Sequence, residues 1–174
     1  MEIEKIYNEH KNLVYNLALQ YVQNIEDAEE ITQDVFLSIY QSMEGFREES
    51  KLSTWIYRIT INKSIDLINK RNRKKRFAFL TSLFNSENDK LIHEPIHFNH
   101  PGVQLEQKEA LKNLFELINQ LPENQQTTLI LIKIEQKSLV ETAKIMELSP
   151  KAVESLLHRA KVNLQKKLKP IEGK

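Results

Sequence analysis

The sequence predicts an all-helical chain: a helical bundle at the N-terminus, a flexible linker, and a C-terminal four-helix domain containing a helix-turn-helix. Three observations carry this expectation. Helix breakers are scarce, with three glycines and five prolines in 174 residues, and neither type lies between Phe46 and Glu94. A chain so rich in Leu, Ile, Glu, Lys and Gln then favours long helices over a sandwich or barrel. Apolar residues recur at helical spacing over residues 1–76 and again from residue 103. Between them the pattern fails, and so long a stretch without a period is unusual inside one compact domain. The expected division is therefore 1–76, 77–102 and 103–174.

The first helix is expected over 3–23, with Ile3, Ile6, Tyr7, Val14, Leu17, Ala18 and Tyr21 at its apolar positions. Asn24 to Asp27 interrupts it and supplies a capping carboxylate for a second helix near 27–43, which Gly45 ends from the usual C-terminal glycine position. After a short polar loop, a long helix runs from Leu52 to Arg76 with no Gly or Pro inside it. Phe77 to Gln104 carries Asn, Ser, Pro and Gly without a period and reads as the linker. Its apolar run of Phe77, Phe79, Leu80, Leu83 and Phe84 is odd for a plain tether, and the two domains are expected to move independently or to dock loosely through it. Helical spacing resumes at Val103–Gln120, and Pro122 stands near the start of a helix to Glu135. Ser138 caps a short helix to Met146 or Glu147, and Ser149-Pro150 pairs an N-cap with proline at the first helical position. The last helix is expected to end near Leu168, before Pro170. A short helix, a tight turn and a longer basic helix are the outline of a helix-turn-helix.

Composition removes several functions. A hydrophobic content of 40% can bury a core, although two cores of this size would each be modest. Cysteine is absent, which excludes disulfides and thiolate metal sites and fits a reducing cytoplasm. The start, MEIEKIYNEHK, has no apolar signal core, and nowhere do about 18 apolar residues run together. A cytoplasmic protein without membrane insertion is expected. His93, His97 and His100 have a spacing that zinc could use, but in a linker they read as surface histidines. No glycine-rich phosphate loop, nucleophile elbow or acid–base carboxylate pair is present. The expectation is therefore no catalytic residue, no metal and no cofactor.

Charge is informative once mapped. Residues 1–50 hold three basic side chains against eleven acidic ones, whereas residues 51–76 hold nine basic against Asp66 alone. Such polarity suggests two surfaces for two partners, one of them polyanionic. On the second helix Ala28, Ile31, Val35, Phe36 and Ile39 share the core-facing side, and Glu30, Gln33, Asp34, Leu37 and Gln41 share the other. An acidic stripe around an apolar anchor suits a basic protein surface; residues alone leave it open to being an ordinary solvated face. The long helix opens at Thr54-Trp55, crosses Arg58, Asn62, Asp66 and Asn69, and ends in KRNRKKR, Lys70 to Arg76. Cations hold phosphates, and aromatics and amides beside them stack on or bond unpaired bases. Trp55 is equally suited to packing the core. The last helix buries Val153, Leu156, Leu157, Ala160, Leu164 and Leu168 and presents Lys151, Ser155, His158, Arg159, Val162 and Lys166, residue types that read base edges in a major groove.

Three segments, in this order, resemble the sigma-70 family of transcription initiation factors. DAEEITQDVFLSIYQSMEGF, Asp27 to Phe46, is similar to the family's core-polymerase-binding segment. STWIYRITINKSIDLINKRNRKKR, Ser53 to Arg76, resembles the segment that melts and reads the minus-ten element. Leu121 to Leu168 resembles the domain that reads the minus-thirty-five element. The short two-domain layout resembles the extracytoplasmic-function group, with domains of the region 2 and region 4 types. The resemblance implies that Glu30, Gln33, Asp34, Leu37 and Gln41 dock on core RNA polymerase. It implies that Arg47, Lys51, Ser53, Thr54 and Trp55 near the loop, with the stripe Arg58, Asn62, Lys63 and Asn69, hold the melted strand around a flipped base. Lys70, Arg73 and Lys74 would grip phosphates upstream, and Lys151, Ser155, His158, Arg159 and Lys166 would meet duplex promoter DNA. An anti-sigma factor is the further partner implied. Four positions depart from the family pattern. Gln126 and Leu157 stand where arginine is usual, Glu154 where a basic residue is, and Ala152 where threonine is; each removes a possible partner for a phosphate. Those departures keep open a stand-alone helix-turn-helix regulator or a degenerate sigma-like interaction protein.

Overall fold

The computed structural model describes residues 2–43, 51–84 and 105–172, and among them there is no strand. The helices are α1 (Glu2–Val22), α2 (Ile25–Ser42), α3 (Leu52–Phe84), α4 (Leu105–Asn119), α5 (Glu123–Leu129), α6 (Leu139–Met146) and α7 (Pro150–Glu172), with a π-helical turn at Ile130–Ile134. The glycine stop at Gly45, the loop cation Arg47, and His93, His97 and His100 lie outside the described residues.

Local chemistry explains the element ends. Gln23, at φ 54, closes α1 in the left-handed region. The cap of α2 corrects the sequence reading: the Asn24 carboxamide, not a carboxylate, accepts the Asp27 amide at 2.9 Å. The Asp27 carboxylate is instead buried and accepts both ends of the Arg71 guanidinium. Ser138 caps α6, as expected, and Glu141 completes a reciprocal capping box with it. Glu147, left-handed at φ 56, turns the chain into α7, where the Ser149 hydroxyl accepts the Ala152 amide at 3.2 Å. Two helices run further than expected. α3 continues past Arg76 to Phe84, since no breaker stands there, and α7 continues through Pro170 to Glu172. Pro170 removes one backbone donor from that last turn without ending it.

Two apolar clusters organise the molecule. The first packs α1, α2 and α3 through Ile6, Val14, Ala18, Ala28, Ile31, Val35, Ile39 and Ile56. The second joins the two halves of the chain. Leu17 and Tyr21 of α1 and Tyr57 and Ile61 of α3 are buried with Phe115, Ile118, Leu121, Leu129, Ile130, Leu131, Ile145 and Ala160. This docking runs through residues that the sequence reading did not single out for it. Phe77 is 73% exposed, and the side chains of Phe79, Leu80, Leu83 and Phe84 lie outside the described residues. The physical reason lies on α3: Tyr57, Ile61, Ile65 and Ile68 recur at helical spacing as a second apolar stripe, angularly apart from Ile56. Each large apolar side chain fully buried there contributes about 1.5–3 kcal/mol, enough for a handful to hold the halves together.

The π-helical turn, ILIKI, was not anticipated. Its wide ring, closed by the Glu135 amide on the Ile130 carbonyl at 2.9 Å, ends the α5 segment at Glu135, and Gln136 follows at φ 53. Glu135 is thereby presented to α1 and α3.

Candidate nucleic-acid interface

The α2 side chains divide as the periodicity predicts. Ala28, Ile31, Val35, Phe36 and Ile39 are buried, while Glu30, Gln33, Asp34 and Gln41 are exposed around Leu37, which is 54% exposed. Tyr40, one turn on from Leu37, is 66% exposed and widens the apolar part of this face. Nearby, the Tyr7 ring meets Phe36 edge-on at 4.8 Å, with the Lys11 ammonium 5.5 Å from its centroid.

On α3 the expected DNA-binding residues fall into two groups. Lys70, Arg73 and Lys74 are exposed, as are the neighbouring Lys75 and Arg76. Arg71 alone turns inward, to Asp27, and fixes the start of this basic segment against α2. Nearer the start of α3, Ser53, Thr54 and Trp55 are half-buried; Trp55 packs against the first apolar cluster, which answers its ambiguity toward the core. Lys51 and Asn62 are exposed and Lys63 half-buried. Lys51, Ser53, Thr54 and Arg58 form one wall of a cleft of about 780 Å³ whose other wall includes Val140, Lys144 and Leu148.

Arg58 and Asn69 are already engaged. The Arg58 guanidinium donates to the Ile145 carbonyl at 3.1 Å and the Lys144 carbonyl at 2.5 Å, and pairs with Glu147 at 2.6 Å. It thus neutralises the carbonyl end of α6, where unpaired acceptors and the helix dipole favour a cation. The Asn69 amide donates to Glu123 at 2.9 Å. Beside them the Glu135 carboxylate accepts the Gln20 amide at 2.6 Å and the Tyr57 hydroxyl at 2.7 Å, with the Lys137 ammonium 4.8 Å from the Tyr57 ring centre. Burial first, and then the bond to Glu135, push the Tyr57 hydroxyl far above its ordinary range. Burial does the same for Tyr21, whose hydroxyl donates to Thr127 at 3.0 Å. Both phenols therefore stay neutral donors. Tyr57, Glu135, Gln20 and Arg71 were missed by sequence reading; only the helical spacing of Tyr57 to Ile61 hinted at any of them.

The helix-turn-helix leaves its outer face open. Lys151, Ser155, His158, Arg159 and Lys166 are exposed on α7, and all but Lys166 line a groove of about 650 Å³ with Ile132 and Leu139. Of the departures noted above, Glu154 is exposed on this groove, Ala152 is half-buried, and Leu157 packs partly against the joint core. Gln126 is no vacant surface position: it is 5% exposed and donates to Asn119 at 2.7 Å.

Fold and site thus define a class: an all-helical protein bearing an acidic face with an apolar anchor, a long basic helix and a helix-turn-helix. Comparison with known proteins narrows it. The Sigma-70 region 2 family model matches residues 6–74, and the Sigma-70, region 4 model matches residues 111–164. The ECF RNA polymerase sigma factor SigW of Bacillus subtilis is 26% identical over 166 residues, covering 93% of this chain and 86% of SigW. The ECF RNA polymerase sigma-E factor of Haemophilus influenzae is also 26% identical, covering 95% of this chain and 87% of its own. Among solved structures, the sigma factor RpoE of Bartonella quintana, in complex with the anti-sigma factor NepR, shares the fold at a TM-score of 0.65. It is 20% identical and covers 97% of each chain. This chain belongs to the sigma-70 family, in its extracytoplasmic-function group.

Proposed function

We infer that this chain is a sigma factor that brings core RNA polymerase to promoters, takes part in melting them and starts transcription, with no catalytic step of its own. One observation carries the reading: the acidic α2 face around Leu37, the basic α3 and the helix-turn-helix stand on one chain, in the order of the two matched family regions. In this reading Glu30, Gln33, Asp34, Leu37 and Gln41 dock on polymerase, with Leu37 as the desolvated anchor. The start of α3, with Arg58, Asn62, Lys63 and Asn69, holds the melted strand. Unstacking a base costs a few kcal/mol, which stacking and backbone contacts offset. Lys70, Arg73 and Lys74 hold upstream phosphates, and Lys151, Ser155, His158, Arg159 and Lys166 meet duplex DNA in the major groove. The proposed organisation remains 1–76, 77–102 and 103–174, working in the cytoplasm; among the described residues no helix is long and apolar enough to cross a membrane. An anti-sigma factor is the proposed regulator.

Permanganate footprinting tests this. Thymines in the minus-ten region should become reactive only when core polymerase and this chain are both present. Melting by core polymerase alone, or tight duplex binding by the free chain with no effect of polymerase, would favour a stand-alone regulator.

A further inference from the structure

α7 is a cationic helix with one exception on its open face. Lys151, Arg159, Lys161, Lys166, Lys167 and Lys169 spread positive charge along it, and its carboxylates are Glu154 and, at the far end, Glu172. Glu154 is exposed on the groove that Lys151, Ser155 and His158 also line. It lies about 6 Å along the axis from the helix start at Pro150, in the part of a recognition helix that reaches base edges. Nothing within the chain employs its carboxylate. Lys151 and His158 stand one turn before and after it, yet among the described residues no ion pair or hydrogen bond engages Glu154. Ser155 offers it no proton, because that hydroxyl donates to the Lys151 carbonyl at 3.0 Å.

A carboxylate carried into a major groove is repelled by the phosphates on both walls. That cost is offset where the carboxylate accepts a hydrogen bond from a base. Two groups can donate there, the N4 amino group of cytosine and the N6 amino group of adenine. Adenine sets its N7 acceptor beside that amino group, guanine presents O6 and N7, and thymine presents O4, all of which repel a carboxylate. Cytosine alone offers a donor with no acceptor on its own edge. We propose that Glu154 is a specificity-determining residue: its carboxylate accepts from N4 of one cytosine in the upstream promoter element and rejects the other three bases at that position. This rests on the reading of α7 as the helix that meets duplex DNA. The cations around Glu154 fit the role, since Lys151 and Arg159 on the same groove attract the phosphates and keep the helix seated while the carboxylate selects. A glutamate at this position thus exchanges one base preference for another, beyond losing a phosphate contact.

Base swapping tests the assignment. A promoter recovered by run-off transcription on genomic fragments, then randomised and barcoded over its upstream element, supplies the templates. Holoenzyme is assembled from core polymerase with wild type, Glu154→Gln or Glu154→Arg, and the barcodes are read from the transcripts. Wild type should favour cytosine at one position, on either strand, by at least about fivefold over each other base, the low end for a base-edge contact. Glu154→Gln should move that preference to adenine, whose N6 and N7 a carboxamide meets together, and Glu154→Arg should move it to guanine. Preferences at the other positions should stay, and so should the helical circular dichroism, because Glu154 is exposed. An equal gain on all templates in both variants would reveal a carboxylate that only repels phosphates, and would overturn the proposal. A cytosine preference that survives both substitutions, or its absence in wild type, would overturn it as well. If wild type with core polymerase gives no transcript from any fragment, the sigma reading itself falls, and the role of Glu154 with it.

Discussion

Arg71→Met removes the cation from a carboxylate that is 4% exposed, while keeping most of the side-chain volume. Breaking a buried pair costs about 3–5 kcal/mol, and an exposed pair about 0–1 kcal/mol. This one lies between, because the Arg71 side chain is 44% exposed and water reaches the vacated site. Asp27 also lies in the first turn of α2, where amide dipoles favour a carboxylate by about 0.3–1 kcal/mol. The expected loss is about 2 kcal/mol, which in a chain of this size lowers Tm by roughly 4–8 °C. Thermal circular dichroism on Arg71→Met, Asp27→Asn and the double variant measures it. The double variant should be less destabilised than the sum of the singles, by at least about 0.5 kcal/mol. Additive single effects, or an Arg71→Met melting point within about 1 °C of wild type, would refute the idea that this pair ties α3 to α2.

The other predictions are more local. Asp34→Lys with Leu37→Ala should weaken binding to core polymerase by several kcal/mol without changing the helical spectrum; co-purification at undiminished yield would count against the docking face. Neutralising Arg73, Lys74, Lys75 and Arg76 should reduce the log–log salt slope of holoenzyme–promoter binding by roughly 0.7–0.9 for each phosphate no longer neutralised, and an unchanged slope would leave these residues as solubilising charge. The Ser138 hydroxyl and amide hold the Glu141 carboxyl below its ordinary value, so its bond stabilises α6 fully above the ordinary carboxylate range and is lost as pH falls through the lowered value. Urea titrations of wild type and Glu141→Gln should therefore differ at neutral pH and converge in acid; an equal difference at both would show that the carboxylate's charge is not what matters.

Much of the fold was legible because its causes are local. The five buried apolar residues of α2 follow from the helical period, and Ser138, Ser149 and Pro150 mark two helix starts by local chemistry readable within four residues. The exposed faces of α2 and α7 came out for the same reason. The joint core did not, since Leu17, Tyr57 and Ile61 read as core whether they pack within one domain or across two. The engagement of Arg58 was also hidden: its acceptors are backbone carbonyls and a distant glutamate, and backbone acceptors leave no mark in sequence. The cap of α2 is ambiguous in sequence because Asn24, Glu26 and Asp27 all stand where the helix opens, and it is the Asn24 carboxamide that reaches the amide. The π-helical turn that delivers Glu135 carries no motif that reading by period detects.

The central claim is that this chain confers promoter-dependent initiation on polymerase, and multi-round run-off transcription with purified, sigma-free core polymerase tests it most directly. Over a library of genomic fragments from the same source, adding the chain should switch on discrete transcripts that share an upstream sequence pair. Arg58→Ala, Asn62→Ala and Asn69→Ala together should diminish them. A transcript profile identical with and without the chain, under conditions where the chain binds polymerase, would contradict the account.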